Sequence, residues 1–487
     1  MVCCSRSTDH QLAGATAPST HLNTQIDLVQ WCIESKGLIR CDVEPVLKEC
    51  QIDPARQEVA FVTTKPLAAG DLIVEIPGDL AVTAVDVEKD QDLAGVGTNR
   101  SELVGLALFV LSQNKSQTCT PGQPDHGEAE APSWGPLIDS LFCGQPPSPV
   151  LWSDNERESL LQGSQVLEEA RARETAIRSE WPDIIKDFPH LKVLGDETDF
   201  LNAMMTVLAK ATYLPAAQCF ALLPIIISLR RTGSASGATL DYDFDRETVV
   251  LKASRKYEKG EEVRLFDGRS SGELFMATGT FEPSNPSDYI TLTADLVPAD
   301  KLYNQKASIL TELGFEASTV EFPVAADRIS TQHLAFLRLS RLTNAAQFPL
   351  VQFDADVIIS QENEYEVLQL LMADVRERLQ GYATQYEDDL KELQRRDLGW
   401  KERAAAALRV SEKRILQGTM DGVRRRLAPI RGIPTKDGSL ADPNADLKEV
   451  FDVIESIPSA PKRFLDGLAS WARGEADPEW GNRNKKR

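Results

Sequence analysis

The chain has 487 residues, of which 42% are hydrophobic and 26% charged, and it carries a formal net charge of −21. That length supports two or three domains with a sizeable core, and the composition is ordinary for globular protein. The acidic balance argues against nucleic acid or an anionic membrane as principal partner, because phosphate would repel it. No window holds the roughly 18 apolar residues that a membrane span requires. The eight cysteines (Cys3, Cys4, Cys32, Cys41, Cys50, Cys119, Cys143 and Cys219) include no CxxC pair. Cys32, Cys41 and Cys50 are nine residues apart, a spacing that suits no common zinc site. Free thiols in a reducing compartment are therefore expected, and no metal. The first 22 residues are rich in Ser, Thr and Ala with one Arg and no apolar run, so no secretory signal is expected there.

In chain order, Ile26, Val29 and Ile33 fall at helical spacing within Thr24 to Lys36, with Thr24 as N-cap and Gly37 as the stop. Val59 to Val62 and Asp71 to Ile76 read as strands separated by the Ala69-Gly70 turn. An apolar helix is expected over Glu102 to Leu111, then a low-complexity, mobile loop over Ser112 to Pro132. Helices over Val166 to Trp181 and Phe200 to Tyr213 follow. Leu222 to Ile227 is a buried apolar run that leads into Arg230 and Arg231, and Gly233 to Gly237 reads as a loop. Glu247 to Ala253 and Glu262 to Phe266 read as strands, and Ser271 as the N-cap of a short helix ending at Gly279. Further on, Leu368, Leu371, Met372, Val375 and Leu379 share one helical face, and Ala404, Leu408, Ser411 and Ile415 another.

The Pro224 region, the Lys-Gly-Glu-Glu-Val turn at Lys259 to Val263, and the Glu273-Leu274 helix running into Gly279 and Glu282-Pro283 resemble the second half of a SET domain. The likeness is to protein-lysine methyltransferases of the Rubisco large-subunit type. Val59 to Pro77 resembles the opening of the same domain, and Val375 to Leu393 with Arg403 to Leu427 resembles its C-terminal substrate-binding domain. The resemblance implies an α+β fold: a small β-rich SET domain split by a helical insert, followed by an all-α C-terminal domain. It divides the chain into a flexible 1–23, SET halves 24–111 and 200–284, an insert 112–199, a substrate-binding domain 285–427, and an extension 428–487. It also implies S-adenosylmethionine as cofactor if the protein is active, a protein substrate or partner, and a chloroplast setting in a plant or alga.

SET enzymes bring backbone close to the cofactor at small residues, hold it with a basic side chain, and place an Asn-His pair, a strand tyrosine and a catalytic tyrosine around the methyl group. On this sequence those positions fall on Glu58 and Ala60, Lys210, Arg230 and Arg231, Phe266, and Thr278 respectively. No His lies between His190 and His333, and no Asn between Asn202 and Asn285, so no register restores the pair. The nearest tyrosines to the lost phenol are Tyr257 and Tyr289. The expected outcome is a catalytically impaired SET protein that binds a protein partner, with an active lysine methyltransferase as the alternative. Arg230 and Arg231 are expected to face solvent or to pair with Asp241, Asp243 or Asp245. Those alternating aspartates read as a solvated strand edge, and Gly233 to Gly237 lacks the Lys-Ser/Thr of a phosphate loop.

Overall fold

The computed structural model describes residues 18–430, apart from 52, 54–55, 120–133, 144–147 and 316–318. Its first unit is organised on an antiparallel sheet whose strands run in the order Arg40–Cys41, Leu72–Pro77, Thr248–Lys252, Thr239–Asp243. Ile73, Val74 and Ile76, with Val249, Val250 and Leu251, are all buried, as continuous apolar runs covered on both faces must be. Ile76 faces Val249 in register, and bridges join Val62 to Glu262 and Leu67 to Tyr257. Segments nearly two hundred residues apart thus form one β-rich unit, as the resemblance implied. The exception in the apolar run is Glu75, whose carboxylate accepts from Arg246 Nη1 at 3.2 Å and Thr248 Oγ1 at 3.4 Å. A hairpin of Val43–Glu49 with Gln57–Thr63 packs beside this sheet.

Several boundaries differ from the sequence reading. The first helix runs Pro18–Lys36, so Thr24 is no cap: it lies inside the helix and its hydroxyl donates back to the Thr20 carbonyl. The apolar helix runs Glu102–Cys119, which makes the first part of the expected loop helical. The rest of that loop lies largely outside the described residues. The insert helix extends over Gln165–Asp187. Helix Glu197–Lys210 ends before Tyr213, because Thr212–Leu214 pairs as a strand with Cys219–Ala221. Only Leu265–Phe266 of the Glu262 to Phe266 stretch is strand. Ser270, not Ser271, caps helix Ser271–Thr278, and it forms a capping box with Glu273. Cys32, Cys41, Cys50, Cys143 and Cys219 are free thiols.

The C-terminal region is helical, but not all-α. It opens with a three-stranded antiparallel sheet of Ile290–Asp295, Thr319–Ala325 and Arg328–Ile329. Ile290, Leu292 and Ala294 are buried, while Thr291 is half-buried and Thr293 and Asp295 are exposed: a period of two. Helices Thr331–Arg341, Gln361–Gln380 and Trp400–Ile430 build a second core around this sheet. Helix Trp400–Ile430 ties the units together. Ala404, Ala405, Ala407 and Leu408 pack in the first core, and Ile415, Leu416, Val423 and Leu427 in the second.

Within the second core, His333 is 0% exposed, and both ring nitrogens lack a hydrogen-bond partner. The imidazole stacks on Phe322 with ring centroids 4.7 Å apart. Burial pushes its pKa down to about 4, so the folded protein holds the ring neutral. Because the folded value lies below the unfolded one, this residue's contribution to stability is complete above the unfolded value near 6.5 and is lost as pH falls towards 4. At pH 5 the loss amounts to about 2 kcal/mol. His333→Leu removes that dependence, so denaturant midpoints of the variant at pH 8 and pH 5 lie closer together than those of the parent. An unchanged gap would contradict this.

Candidate functional site

Four elements converge on one cavity. Helix Glu197–Lys210, started by a capping box between Asp196 and Asp199, carries Lys210 at its C-terminal end. Strand Gln57–Thr63 presents Glu58. The turn after Pro224 is the tightest feature: Ile225 adopts φ 70° and ψ −50°, a conformation that costs a β-branched residue about 1–3 kcal/mol. Burial of Ile225, Ile226 and Ile227 holds it there. The turn delivers Arg230 and Arg231, and Arg231–Thr232 then pairs in parallel with Leu265–Phe266. Helix Ser271–Thr278 ends at Gly279, in the left-handed region at φ 66°, and so places Thr278 on the cavity wall.

The cavity measures about 160 Å³. Of the residues singled out from sequence, Glu58, Lys210, Arg230, Arg231 and Thr278 line it. Ala60 does not: it is fully buried and pairs with Val46 in the hairpin. Phe266 does not line it either. Neither Tyr257 nor Tyr289 reaches the cavity. The first donates to the Ser236 carbonyl at 3.3 Å and the second to Glu273 Oε1 at 2.7 Å.

The charges here are paired with one another. Arg231 Nη1 meets Asp267 Oδ2 at 2.9 Å, while Nη2 donates to the carbonyls of Lys210 at 3.1 Å and Ala211 at 3.3 Å. Arg269 Nε holds the other oxygen of Asp267 at 2.5 Å. Burial pushes the Asp267 carboxyl up, but the guanidiniums of Arg269 and Arg231 outweigh that and hold it at about 2. Arg230 lies 3.5 Å from Glu58 and 3.5 Å from Glu262. Arg264 pairs with Glu262 at 3.1 Å. The expected pairing of Arg230 and Arg231 with Asp241, Asp243 or Asp245 is therefore wrong. Asp241 holds Lys252 at 2.8 Å and Asp243 lies 3.9 Å from Arg246, on the sheet edge. Among the described residues no group of acids, histidines or cysteines is arranged to hold a metal.

Lys210 is half-buried and makes no ion pair among the described residues. Desolvation and the nearby Arg231 charge push its pKa down to about 8. Thr278 is buried and turned inward, its hydroxyl donating to the Leu274 carbonyl at 2.6 Å and meeting Thr280 Oγ1 at 2.5 Å. Sequence reasoning missed Gln25 and Ser228, which line the cavity and form a hydrogen-bonded triangle with Ser140 behind them (Ser228 Oγ to Gln25 Oε1, 2.5 Å). It also missed Arg264, Glu282 and Trp400. The Glu262-x-Arg264 alternation was a usable signal for the ion pair; Trp400, more than a hundred residues downstream, gave none.

Residues 297–416 match the family model described as Rubisco LSMT substrate-binding. The chain superposes on the crystal structure of the SET domain of LSMT bound to lysine and AdoHcy with a TM-score of 0.66 and 18% identity. That match covers 91% of this chain and 99% of the other. The structure of Rubisco LSMT bound to AdoMet gives a TM-score of 0.65, again at 18% identity, over 88% of this chain and 99% of that one. Among curated proteins, an actin-histidine N-methyltransferase of Danio rerio is 24% identical over 388 residues, 73% of this chain. Its counterpart from Callithrix jacchus is 25% identical over 419 residues, 80% of this chain and 67% of its own length. The chain spans 61% of the length of the Danio rerio protein.

The fold is a SET-type architecture with a helical C-terminal region. More particularly, the chain has the fold of Rubisco LSMT, and residues 297–416 match the model of the Rubisco LSMT substrate-binding domain.

The cofactor of those neighbours carries a sulfonium and an ammonium, and its fit can be judged from the residues present. Arg230 and Arg231 add two permanent cations to the cavity lining, whereas a sulfonium and an ammonium call for neutral or anionic acceptors. The cavity is also smaller than the roughly 300–1,000 Å³ usual for sites of drug-sized ligands. These residues do not fit S-adenosylmethionine.

Proposed function

We propose that this protein is a protein-binding relative of the SET-type protein methyltransferases, in which the methyl-transfer site has been rebuilt as a network of ion pairs. One observation carries the reading: Arg231, at the position where the relatives' fold calls for a histidine, is locked to Asp267 and to two helix-end carbonyls. Thr278 supports it, because its hydroxyl is spent on its own helix. The partner is a protein, a reading supported by the substrate-binding domain type of residues 297–416 and by relatives named for action on actin.

The second reading is an active S-adenosylmethionine-dependent protein methyltransferase. The extent of the similarity favours it, since the match to an actin-histidine N-methyltransferase runs over 80% of the chain. Incubation with methyl-labelled S-adenosylmethionine and either actin or the Rubisco large subunit separates the two readings. No label is expected on either substrate. Thr278→Tyr alone gives none, and Arg230→Asn with Arg231→His restores at most cofactor binding, because cofactor hold and transfer geometry act as a unit. Label transferred by the unmodified protein would establish the second reading.

A further inference from the structure

Arg230 and Trp400 both line the cavity, and three of their buried nitrogen donors, Arg230 Nε, Arg230 Nη2 and Trp400 Nε1, have no hydrogen-bond partner. A buried donor left unmet costs about 1–3 kcal/mol, so each of them calls for an acceptor. The two carboxylates near Arg230 do not supply it, since both stand at 3.5 Å, beyond the 2.7–2.9 Å of a charge-assisted bond. Lys210 adds an unpaired amine to the same wall. Trp400 comes from the first turn of helix Trp400–Ile430 and packs in the first core against Phe275, with ring centroids 6.3 Å apart.

We propose that this cavity binds a small oxyanion, a carboxylate or a phosphate, between the guanidinium of Arg230 and the indole N–H of Trp400. The proposal rests on the reading that the cofactor pocket has been rebuilt, and it inverts the polarity of the site. A planar guanidinium offers a fork of donors matched to two oxygens. Burial pushes the Lys210 pKa down without abolishing its charge at neutral pH, so it adds to the attraction. Glu58 and Glu282 also line the cavity and oppose an anion. Binding therefore draws Arg230 away from its long contact with Glu58.

Titration calorimetry with inorganic phosphate and, separately, with succinate tests this, at ionic strength fixed with chloride. One of the two is expected to bind with a sub-millimolar constant, and which one does identifies the source of the oxyanion. Arg230→Met weakens that binding by at least about tenfold, the loss of a charge-assisted hydrogen bond. Trp400→Phe keeps the ring packing and weakens it by about threefold to tenfold. Lys256→Met, far out on an exposed turn, leaves it unchanged. A thermal melt of each variant confirms folding. Binding of neither anion, or binding that Arg230→Met and Trp400→Phe leave intact, would overturn the proposal. S-adenosylmethionine titrated alongside separates the two ideas. If neither anion nor cofactor binds, only the oxyanion site fails; if the cofactor binds, the rebuilt pocket fails with it.

Discussion

Asp267→Asn lowers the stability of the protein by about 3–5 kcal/mol, because it leaves two buried guanidiniums without their shared counter-ion. Asp267 is 7% exposed, and its partners Arg231 and Arg269 are 10% and 4% exposed. The loss is read from the denaturant midpoint at pH 7. The parent and variant should also differ in their acid limb. The carboxyl of Asp267 is held at about 2, below its ordinary value of 3.8, so its contribution is present above pH 3.8 and lost as pH falls towards 2. That loss is about 2 kcal/mol in the parent and absent in the Asn variant. A single loss below about 1 kcal/mol at pH 7 would mean that the network is a loose surface pairing.

Arg338→Met produces an effect of similar size, about 3–5 kcal/mol, in the C-terminal region. Arg338 is 1% exposed and its Nε and Nη2 clasp Glu364 at 2.7 and 2.9 Å, while Nη2 also reaches Asp356 at 2.7 Å. Asp356 retains Arg426 at 2.7 Å after the substitution, but Glu364 keeps only a contact at 3.9 Å with the same residue. The uncompensated charge is therefore on Glu364, itself 1% exposed. Arg338→Met combined with Glu364→Leu should recover much of the loss, because a buried pair replaced by apolar side chains is often neutral. A double variant no more stable than the single one would place the cost in packing rather than in the orphaned carboxylate.

The sequence made the β-rich unit legible because its strands announce themselves. Leu72 to Ile76 and Thr248 to Leu251 are apolar runs with β-branched residues, closed by Gly70 and by the Lys259-Gly260 turn. The helix over Gln361–Gln380 was equally plain from its stripe of Leu368, Leu371, Met372 and Val375. Missed was the strand Ile290–Asp295, although its alternation of apolar and polar residues was on display; a resemblance that implied helices outweighed the period of two. At the site, the chain position of Arg230, Arg231 and Thr278 sufficed to place them on one cavity. Their partners were not legible. Arg231 lies next to Asp267 only because two short strands run parallel, a pairing that local sequence does not encode. Nearby Asp241 and Asp243 looked like the obvious counter-ions, but the strand Thr239–Asp243 turns them towards Lys252 and Arg246 on the sheet edge.

The most direct measurement on the cavity of Arg230 and Arg231 is a calorimetric titration of the folded protein with S-adenosylmethionine. Two fixed cations, one of them locked to Asp267 and the helix end, predict no binding at micromolar strength and no rise in melting temperature with added cofactor. A micromolar dissociation constant, matched by that rise, would show that Arg230 and Arg231 give way to the cofactor, and would contradict the account.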